Sequence, residues 1–291
     1  MNINEQVAAA PYGIIEQVSP LVRRVLARNP SHFTYTGTGT YIIGRGTVAV
    51  IDPGPEIGEH VQALLAALDG ETVSDILITH THFDHSPAAR PLAAATGARI
   101  IGCAPLAIMD DGPRADAGFD MEYTPSAIMS DADTVTGPGW TLSAVDTPGH
   151  TSNHVCYVLA EEAALFSGDH VMGWSTTVVA PPDGDMAQYL DSLRKVGSRE
   201  DNVFYPTHGP AIAEPQRLVK GLIGHRRQRE AQILRLLQDG PQLIEVMVEN
   251  MYAAVDRALW PAAGRSVLAH LLHLDARGMA RAQENGAWAL A

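Results

Sequence analysis

The chain has 291 residues, of which 46% are hydrophobic and 18% charged, and its formal net charge is −13. No uninterrupted apolar stretch reaches 18 residues, which argues against a transmembrane helix, and the composition is typical of a soluble globular protein. Cys103 and Cys156 are too few for a disulfide framework, and we interpret both as core residues. Because the N-terminal residues also lack the features of a secretory signal, we expect a cytoplasmic protein.

The charge is unevenly distributed along the chain. Residues 221–291 hold eight arginines and seven acidic residues, a net charge of +1, whereas residues 1–220 carry −14. An acidic region repels polyanions at long range, so nucleic acid is a possible but not a favoured partner.

The first hundred residues predict a strand-rich unit with interspersed helices. Turn residues separate segments rich in β-branched and aromatic side chains, which predicts strands over 23–28, 40–43, 47–51, 75–79 and 99–103. Apolar spacing predicts helices over 58–68 and 87–96. The second has Ser86 as its N-cap, and Gly97 is the residue that ends it.

The strand at 75–79 leads directly into the motif THTHFDH at residues 79–85. Its four potential metal ligands, His80, His82, Asp84 and His85, fall within six residues. Imidazole and carboxylate together suit Zn²⁺, and α/β folds place their chemistry at strand ends. In an irregular loop, His80 and His82 can converge on one ion while Asp84 and His85 turn toward a second.

Residues 105–135 are acid-rich and loop-like. Met109 to Pro113 and Asp131 to Asp133 contain the turn residues of this segment. It is either a lid over the site or a solvated connection, and we favour the connection.

Three further turns each carry one metal-type residue. His150, Asp169 and His208 lie in segments rich in glycine or proline, and the first two follow apolar runs. Glycine lets the backbone bend sharply, so such turns can surround one crevice.

With these residues the chain resembles the metallo-β-lactamase-fold hydrolases, over roughly residues 20 to 215. The resemblance implies an α/β, four-layer αβ/βα sandwich. It also implies a dinuclear site in which His80, His82 and His150 hold one metal and Asp84, His85 and His208 the second. Asp169 would bridge the two ions, and Asp52 would hold a ligating histidine from behind.

Two zinc ions, with iron or manganese as alternatives, would supply a bridging hydroxide that attacks a carbonyl. Asp84 is the expected catalytic residue, because a carboxylate at the metal can orient the nucleophile and pass a proton to the leaving group. The segment after Asp169 offers Trp174, Ser175 and Thr176 as substrate contacts. His154 and His170 match no ligand position, and we interpret them as structural.

The last seventy residues form a separate predicted unit. It follows a helix predicted over 185–196 and contains predicted helices over 222–237, 243–254 and 265–277 and short strands over 279–283 and 287–290. Three helices and a hairpin describe a winged helix, which gives predicted domains of 1–220 and 221–291. The pattern HRRQRE at 225–230 strengthens the resemblance to a branch that includes a mitochondrial endoribonuclease and relatives similar to glyoxalase II.

The leading hypothesis is therefore a metal-dependent hydrolase of a small or medium ester, thioester, lactone or amide, acting as a monomer or homodimer. The alternative is an endoribonuclease that cleaves single-stranded RNA with the same metals. A metal-dependent oxidoreductase of the same fold, such as a single-iron persulfide dioxygenase, and a non-catalytic binding module are further alternatives.

Overall fold

A computed structural model describes residues 3–107 and 118–291. Within them, the first sheet joins strands in chain order, antiparallel as far as the fourth strand and parallel beyond it. Its strands are β1 (Ile15–Gln17), β2 (Val22–Leu26), β3 (Gly39–Arg45), β4 (Thr47–Ile51), β5 (Thr72–Ile78), β6 (Arg99–Gly102) and β7 (Ala127–Ile128). The accompanying helices are α1 (Ile3–Ala9), α2 (Gly58–Ala67) and α3 (Ala89–Thr96).

The second sheet has the order β12-β11-β10-β9-β8, with β11 and β12 parallel and the other pairs antiparallel. Its strands are β8 (Thr134–Gly137), β9 (Trp140–Asp146), β10 (Val155–Leu159), β11 (Ala164–Gly168) and β12 (Val203–Pro206). Helix α4 (Met186–Gly197) precedes β12, and α5 (Pro215–Gln238) follows it.

Strand β10 shows how alternation builds the layers. Successive side chains of a strand point to opposite faces. Tyr157 packs in the core shared with the first sheet, whereas Cys156 and Val158 pack in a second core with α4 and α5. Since α2 and α3 contribute Leu64 and Leu92 to the core of the first sheet, the layers run helix, sheet, sheet, helix, as expected for the four-layer sandwich.

Helix ends follow local chemistry, with one correction to the sequence analysis. Gly97 ends α3 in the left-handed conformation, as predicted. Ser86 is not the N-cap of α3, because the helix begins at Ala89 and no side chain caps it. The Ser86 hydroxyl instead donates to Asp120 at 2.9 Å.

The C-terminal unit is a winged helix, as predicted. It contains α6 (Ile244–Met251), α7 (Trp260–Ala276), β13 (Ala280–Ala282) and β14 (Trp288–Leu290), the last two paired antiparallel. Helix α5 begins at Pro215 and therefore runs through the predicted boundary between residues 220 and 221. Its Val219 packs in the second core and its Ile233 in a third core with α6 and α7, so the domain limits stay a prediction.

The described residues include no helix with the length and apolarity needed to cross a bilayer. Cys103 and Cys156 are both free and buried, as interpreted from the sequence.

Candidate active site

The first three predicted ligands form one buried histidine cluster. His80 and His82 lie in the loop after β5, and His150 lies in the turn after β9. His82 Nδ1 lies 2.9 Å from His80 Nε2 and 3.2 Å from His150 Nε2. Three imidazoles within 4.8 Å of one another can share one divalent cation.

A second group lies beside it and contains a carboxylate. His208, at the end of β12, places Nε2 3.2 Å from Asp84 Oδ2. His85 Nε2 lies 3.8 Å from Asp84 Oδ1. Asp84, His85 and His208 can therefore share one ion.

Asp169 lies between the two groups, directly after β11. One carboxylate oxygen, Oδ2, is 3.7 Å from His150 Nε2. The other, Oδ1, is 3.5 Å from His85 Nε2 and 3.4 Å from His208 Nε2. A carboxylate in this position can contact an ion in either group.

The donor atoms of these groups fit metal ions. Asp84 Oδ1, His85 Nε2, Asp169 Oδ1 and His208 Nε2 are buried and have no hydrogen-bond partner among the described residues. Buried polar atoms without a partner are costly, and a divalent cation would satisfy all four. Their chemical types are those that zinc, iron or manganese accept, so the site can bind metal.

The charges of the cluster depend strongly on each other. Burial alone would raise the pKa of Asp169, yet His208 and His85 hold it well below its usual range. Burial would lower the pKa of His85, but Asp169 and Asp84 raise it well above its usual value. For His80, burial and the neighbouring His85 both lower the pKa, so this ring is neutral and able to donate its lone pair.

Asp52 holds the cluster from behind, at a non-glycine backbone φ of 47°. Its Oδ2 lies 2.8 Å from His85 Nδ1 and accepts hydrogen bonds from the hydroxyls of Thr79 (2.7 Å) and Thr207 (3.0 Å). Its Oδ1 accepts from the Thr79 backbone N–H at 2.8 Å. These contacts fix the far side of His85, as expected for a residue that orients a ligand.

The other ligands are oriented by backbone carbonyls. His150 Nδ1 donates to Val178 O at 2.6 Å, and His208 Nδ1 donates to Gly37 O at 3.2 Å. His154 supports Asp169, because its Nε2 accepts the Asp169 N–H at 3.2 Å. That contact fits the structural interpretation of His154, and His170 is likewise fully buried.

The cluster opens into a cavity of about 350 Å³. Trp174, Ser175 and Thr176 all line it, where the sequence suggested substrate contacts. The Trp174 ring stacks on Tyr35 with the ring centroids 4.9 Å apart.

The remaining walls of the cavity were not predicted from the sequence. One is formed by His32 and Phe33, and the other comes from α5 and the winged helix. The winged-helix side includes His225, Arg226, Arg229, Tyr252, Val255, Leu259, Ala262, Ala263 and Ser266. The HRRQRE pattern was the one available signal for this wall, but nothing in the sequence placed it near the metal ligands.

The described part of the acidic segment before β8 contacts the motif. Phe119 stacks on His82 with the ring centroids 4.6 Å apart, and the Phe83 N–H donates to Gly118 O at 2.9 Å. Part of this segment therefore covers the motif, whereas Met109 to Pro113 lie outside the described residues.

A comparison with known protein families identifies both units of the chain. The model of the metallo-beta-lactamase superfamily matches residues 36–208. The chain belongs to the metallo-beta-lactamase superfamily. Residues 244–288 match the beta-lactamase associated winged helix domain, which confirms the predicted C-terminal unit.

The curated relatives of this superfamily member include proteins named as thioesterases. It is 32% identical over 240 residues to an atrochrysone carboxyl ACP thioesterase of Cryptosporiopsis sp., covering 80% of this chain and 68% of the relative. A second protein of that name, from Aspergillus fumigatus, is 35% identical over 229 residues, covering 77% and 67%. A beta-lactamase-like protein 2 homolog of Drosophila melanogaster is 31% identical and covers 93% of each chain. These relatives support the assignment of this superfamily member as a hydrolase.

The fold also matches solved structures. A beta-lactamase domain protein from Burkholderia ambifaria superposes with a TM-score of 0.80 at 20% identity, covering 97% of this chain and 94% of the other. Such a match supports the fold, including the winged helix at its end.

Proposed function

We propose that the protein is a dinuclear zinc hydrolase that cleaves the thioester of a small or medium acyl group. The main support is the buried set of seven candidate histidine and aspartate ligands, of which His82, Asp84, His150 and Asp169 line the cavity of about 350 Å³. The two relatives named as thioesterases favour a thioester over the ester, lactone or amide.

His80, His82 and His150 would hold one zinc ion, Asp84, His85 and His208 the other, and Asp169 both. When bound, two such ions lower the pKa of water to about 7 and polarise a carbonyl oxygen. The protein itself supplies the fixed orientation of these side chains, which Asp52, Val178 and Gly37 hold from behind.

Asp84 is the proposed catalytic residue of the chain. Its carboxylate lines the cavity and lies 3.2 Å from His208, so it borders both the ligand cluster and the substrate space. From there it can accept the proton of the attacking water and deliver it to the departing thiolate.

The cavity wall suits an acyl group. Met172, Trp174 and Val178 supply apolar surface beside the ligands, and Ser175 and Thr176 add hydroxyls. Apolar walls with a few polar groups are typical of small-molecule sites. Such a wall would exclude water from the acyl group and position its carbonyl at the ligand cluster.

Turnover of a thioester panel by zinc-loaded protein tests this proposal, with an ester, a lactone and a single-stranded RNA alongside. We expect thioester cleavage, and a loss of about 10²–10⁴-fold in kcat for Asp84→Asn at unchanged circular dichroism. Asp69→Asn, which replaces an exposed aspartate, is the matched control and should keep wild-type turnover.

Thioester turnover no faster than that of Asp84→Asn would contradict the proposal. RNA cleavage that disappears in Asp84→Asn would instead support the endoribonuclease alternative. The cytoplasmic location and the monomeric or dimeric state stay predictions.

A further inference from the structure

Two arginines of α5 face the same cavity as the metal ligands. Arg226 is only 3% exposed, and Arg229 is half-buried one turn further along the helix. Both line the cavity, together with Tyr252 and Ser266 of the winged helix. The cavity therefore has a cationic wall in addition to its metal end.

Neither arginine has an acidic partner. Within residues 3–107 and 118–291, no carboxylate oxygen lies within 4.0 Å of either guanidinium group. Arg226 donates to Thr177 O and lies over the Tyr189 ring, but its Nε has no hydrogen-bond partner in this part of the chain. The adjacent Glu230 is not available, because His273 Nδ1 at 2.7 Å and Arg277 Nη1 at 3.1 Å already occupy it.

The buried Arg23 shows the contrast within the same chain. It is 5% exposed and pairs with Glu71 at 2.6 Å. Burying a charge without an opposite charge is strongly unfavourable, so buried arginines are normally paired. The missing partner of Arg226 therefore indicates an anion that arrives with the ligand.

The guanidinium of Arg229 is also held in a fixed position at the cavity wall. Its Nε donates to His225 Nε2 at 3.2 Å, its Nη1 donates to Met251 O at 3.2 Å, and the guanidinium lies over the Tyr252 ring. These contacts use Nε and Nη1, whereas no contact engages Nη2 in the described residues. Burial and the two arginines lower the pKa of His225 to about 4, so it is neutral at pH 7 and can accept this hydrogen bond.

We propose that Arg226 and Arg229 bind an anionic group of the substrate while its carbonyl lies at the metal ligands. The planar guanidinium fork matches the oxygens of a carboxylate or a phosphate. Val255, Leu259 and Ala262 of the winged helix also line the cavity and provide apolar surface for the connecting chain. This inference rests on the proposed thioesterase function and specifies its substrate class as an anionic thioester.

Two pairs of substrates separate the possible sources of the anion. Glutaryl and glutaramoyl thioesters of N-acetylcysteamine differ by a carboxylate on the acyl side. Butyryl-phosphopantetheine and butyryl-pantetheine differ by a phosphate on the thiol side. In at least one of the two pairs, we expect kcat/KM of the anionic member to be about 10- to 100-fold higher than that of the neutral member. This is the usual effect of hydrogen bonds to a charged group.

The role of the arginines is tested by the ratio of kcat/KM between the anionic and the neutral member of that pair. Arg229→Gln should reduce the ratio to near 1, and Arg226→Lys, which keeps a donor for Thr177 O, should also reduce it. Arg227→Gln is the matched control, because Arg227 is exposed on the same helix and does not line the cavity. A ratio near 1 in both pairs for the wild type, or a preference kept in both variants, would overturn the proposal.

Direct binding of the anions gives a result that needs no turnover. Calorimetry would measure glutarate and phosphopantetheine binding to the zinc-loaded wild type, Arg229→Gln and Arg227→Gln. Binding that weakens at least tenfold only in Arg229→Gln supports the anion site even if no thioester is cleaved, in which case the proposed function alone fails. Equal affinity in all three proteins would locate the anion on the metal ions and overturn the inference.

Discussion

At the scale of single residues, the position of Asp169 decides how the candidate site works. Its two carboxylate oxygens face different histidines, since Oδ2 is nearest His150 and Oδ1 is nearest His208 and His85. One side chain thus connects the two ligand groups. Without it, each group would keep three candidate ligands but would lose the carboxylate that lies near both groups.

Asp169→Ala should therefore reduce the bound zinc from about two ions per chain to about one or fewer. The backbone contacts of Asp169 to His154 and Thr177 do not involve the carboxylate, so the fold should be retained. Metal content after dialysis, measured by mass spectrometry, checks this. Asp69→Ala serves as the control, and an unchanged zinc content in Asp169→Ala would exclude the bridging position.

The cluster of candidate ligands could be predicted from sequence, but the arginines of the cavity could not. His80, Asp84 and His208 lie in short turns at strand ends, where the local pattern already indicates chemistry. Arg226 has no such local signal, because an arginine on a helix is usually solvated. Its burial arises from tertiary contacts, because α5 lies against the loop that contains Thr177 and against Tyr189 of α4.

At the scale of elements, the contact between α4 and the turn of His150 determines how tightly that ligand is held. Gly149 has φ of 135°, and a Cβ at this position would lie 2.3 Å from the backbone of Tyr189 in α4. Only glycine permits this approach, and the N-cap residue Asp185 fixes α4 through the N–H of Gln188 at 2.8 Å.

Gly149→Ala should accordingly destabilise the fold by about 2–3 kcal/mol, because the Tyr189 backbone must move. It should also weaken zinc binding, since His150 follows directly. Gly139→Ala is the matched control: φ is 76° there, but no atom lies within 4 Å of the added Cβ, so only about 1 kcal/mol of backbone strain is expected. Urea unfolding of both variants measures the difference, and equal values would refute the close approach.

The C-terminal elements contain a polar network that predicts a dependence on pH. Burial would raise the pKa of Glu230, but His270, with Nδ1 3.6 Å from Oε1, and the hydrogen-bonded His273 lower it from 4.5 to about 2. A depressed carboxyl pKa contributes stability that is complete above pH 4.5 and is lost as the pH falls toward 2.

Glu230→Gln should therefore lower the free energy of unfolding by about 1–2 kcal/mol at pH 7 and by progressively less at pH 4 and pH 3. Guanidinium unfolding at these three pH values measures the change, with the exposed Glu284→Gln as the control. A difference between wild type and Glu230→Gln that does not shrink with acid would contradict the assigned network.

Helix α5 shows why the elements were only partly predictable. The sequence analysis began this helix at residue 222, whereas it begins at Pro215. Gly221 and Gly224 lower the helix propensity near the start of α5. The pattern of the sequence therefore did not predict its first turns. Burial of Val219 against the second core outweighs that cost, and such a tertiary contact is not visible in the local sequence.

At the scale of the whole molecule, α5 joins the catalytic unit to the winged helix. Its first half packs in the core of the second sheet, its second half packs in the core of α6 and α7, and Arg226 between them holds Thr177 O beside the metal ligands. We expect a continuous helix with both ends buried to couple the stability of the two units. Metal binding at one end should thus be detectable at the other.

Removal of metal with a chelator should lower the stability of both units together. A ligand that binds only the folded state stabilises it by about 2.7 kcal/mol at a concentration of 100 times Kd. Hydrogen exchange measured by mass spectrometry should therefore become faster in β5 and in α5, and also in α7 and β14, which lie far along the chain from the ligands. In Asp169→Ala, which holds less metal, the same treatment should change the exchange less. Exchange in α7 and β14 that is unaffected by the chelator, while β5 responds, would mean that the two cores open independently and that α5 is a tether rather than a rigid connection.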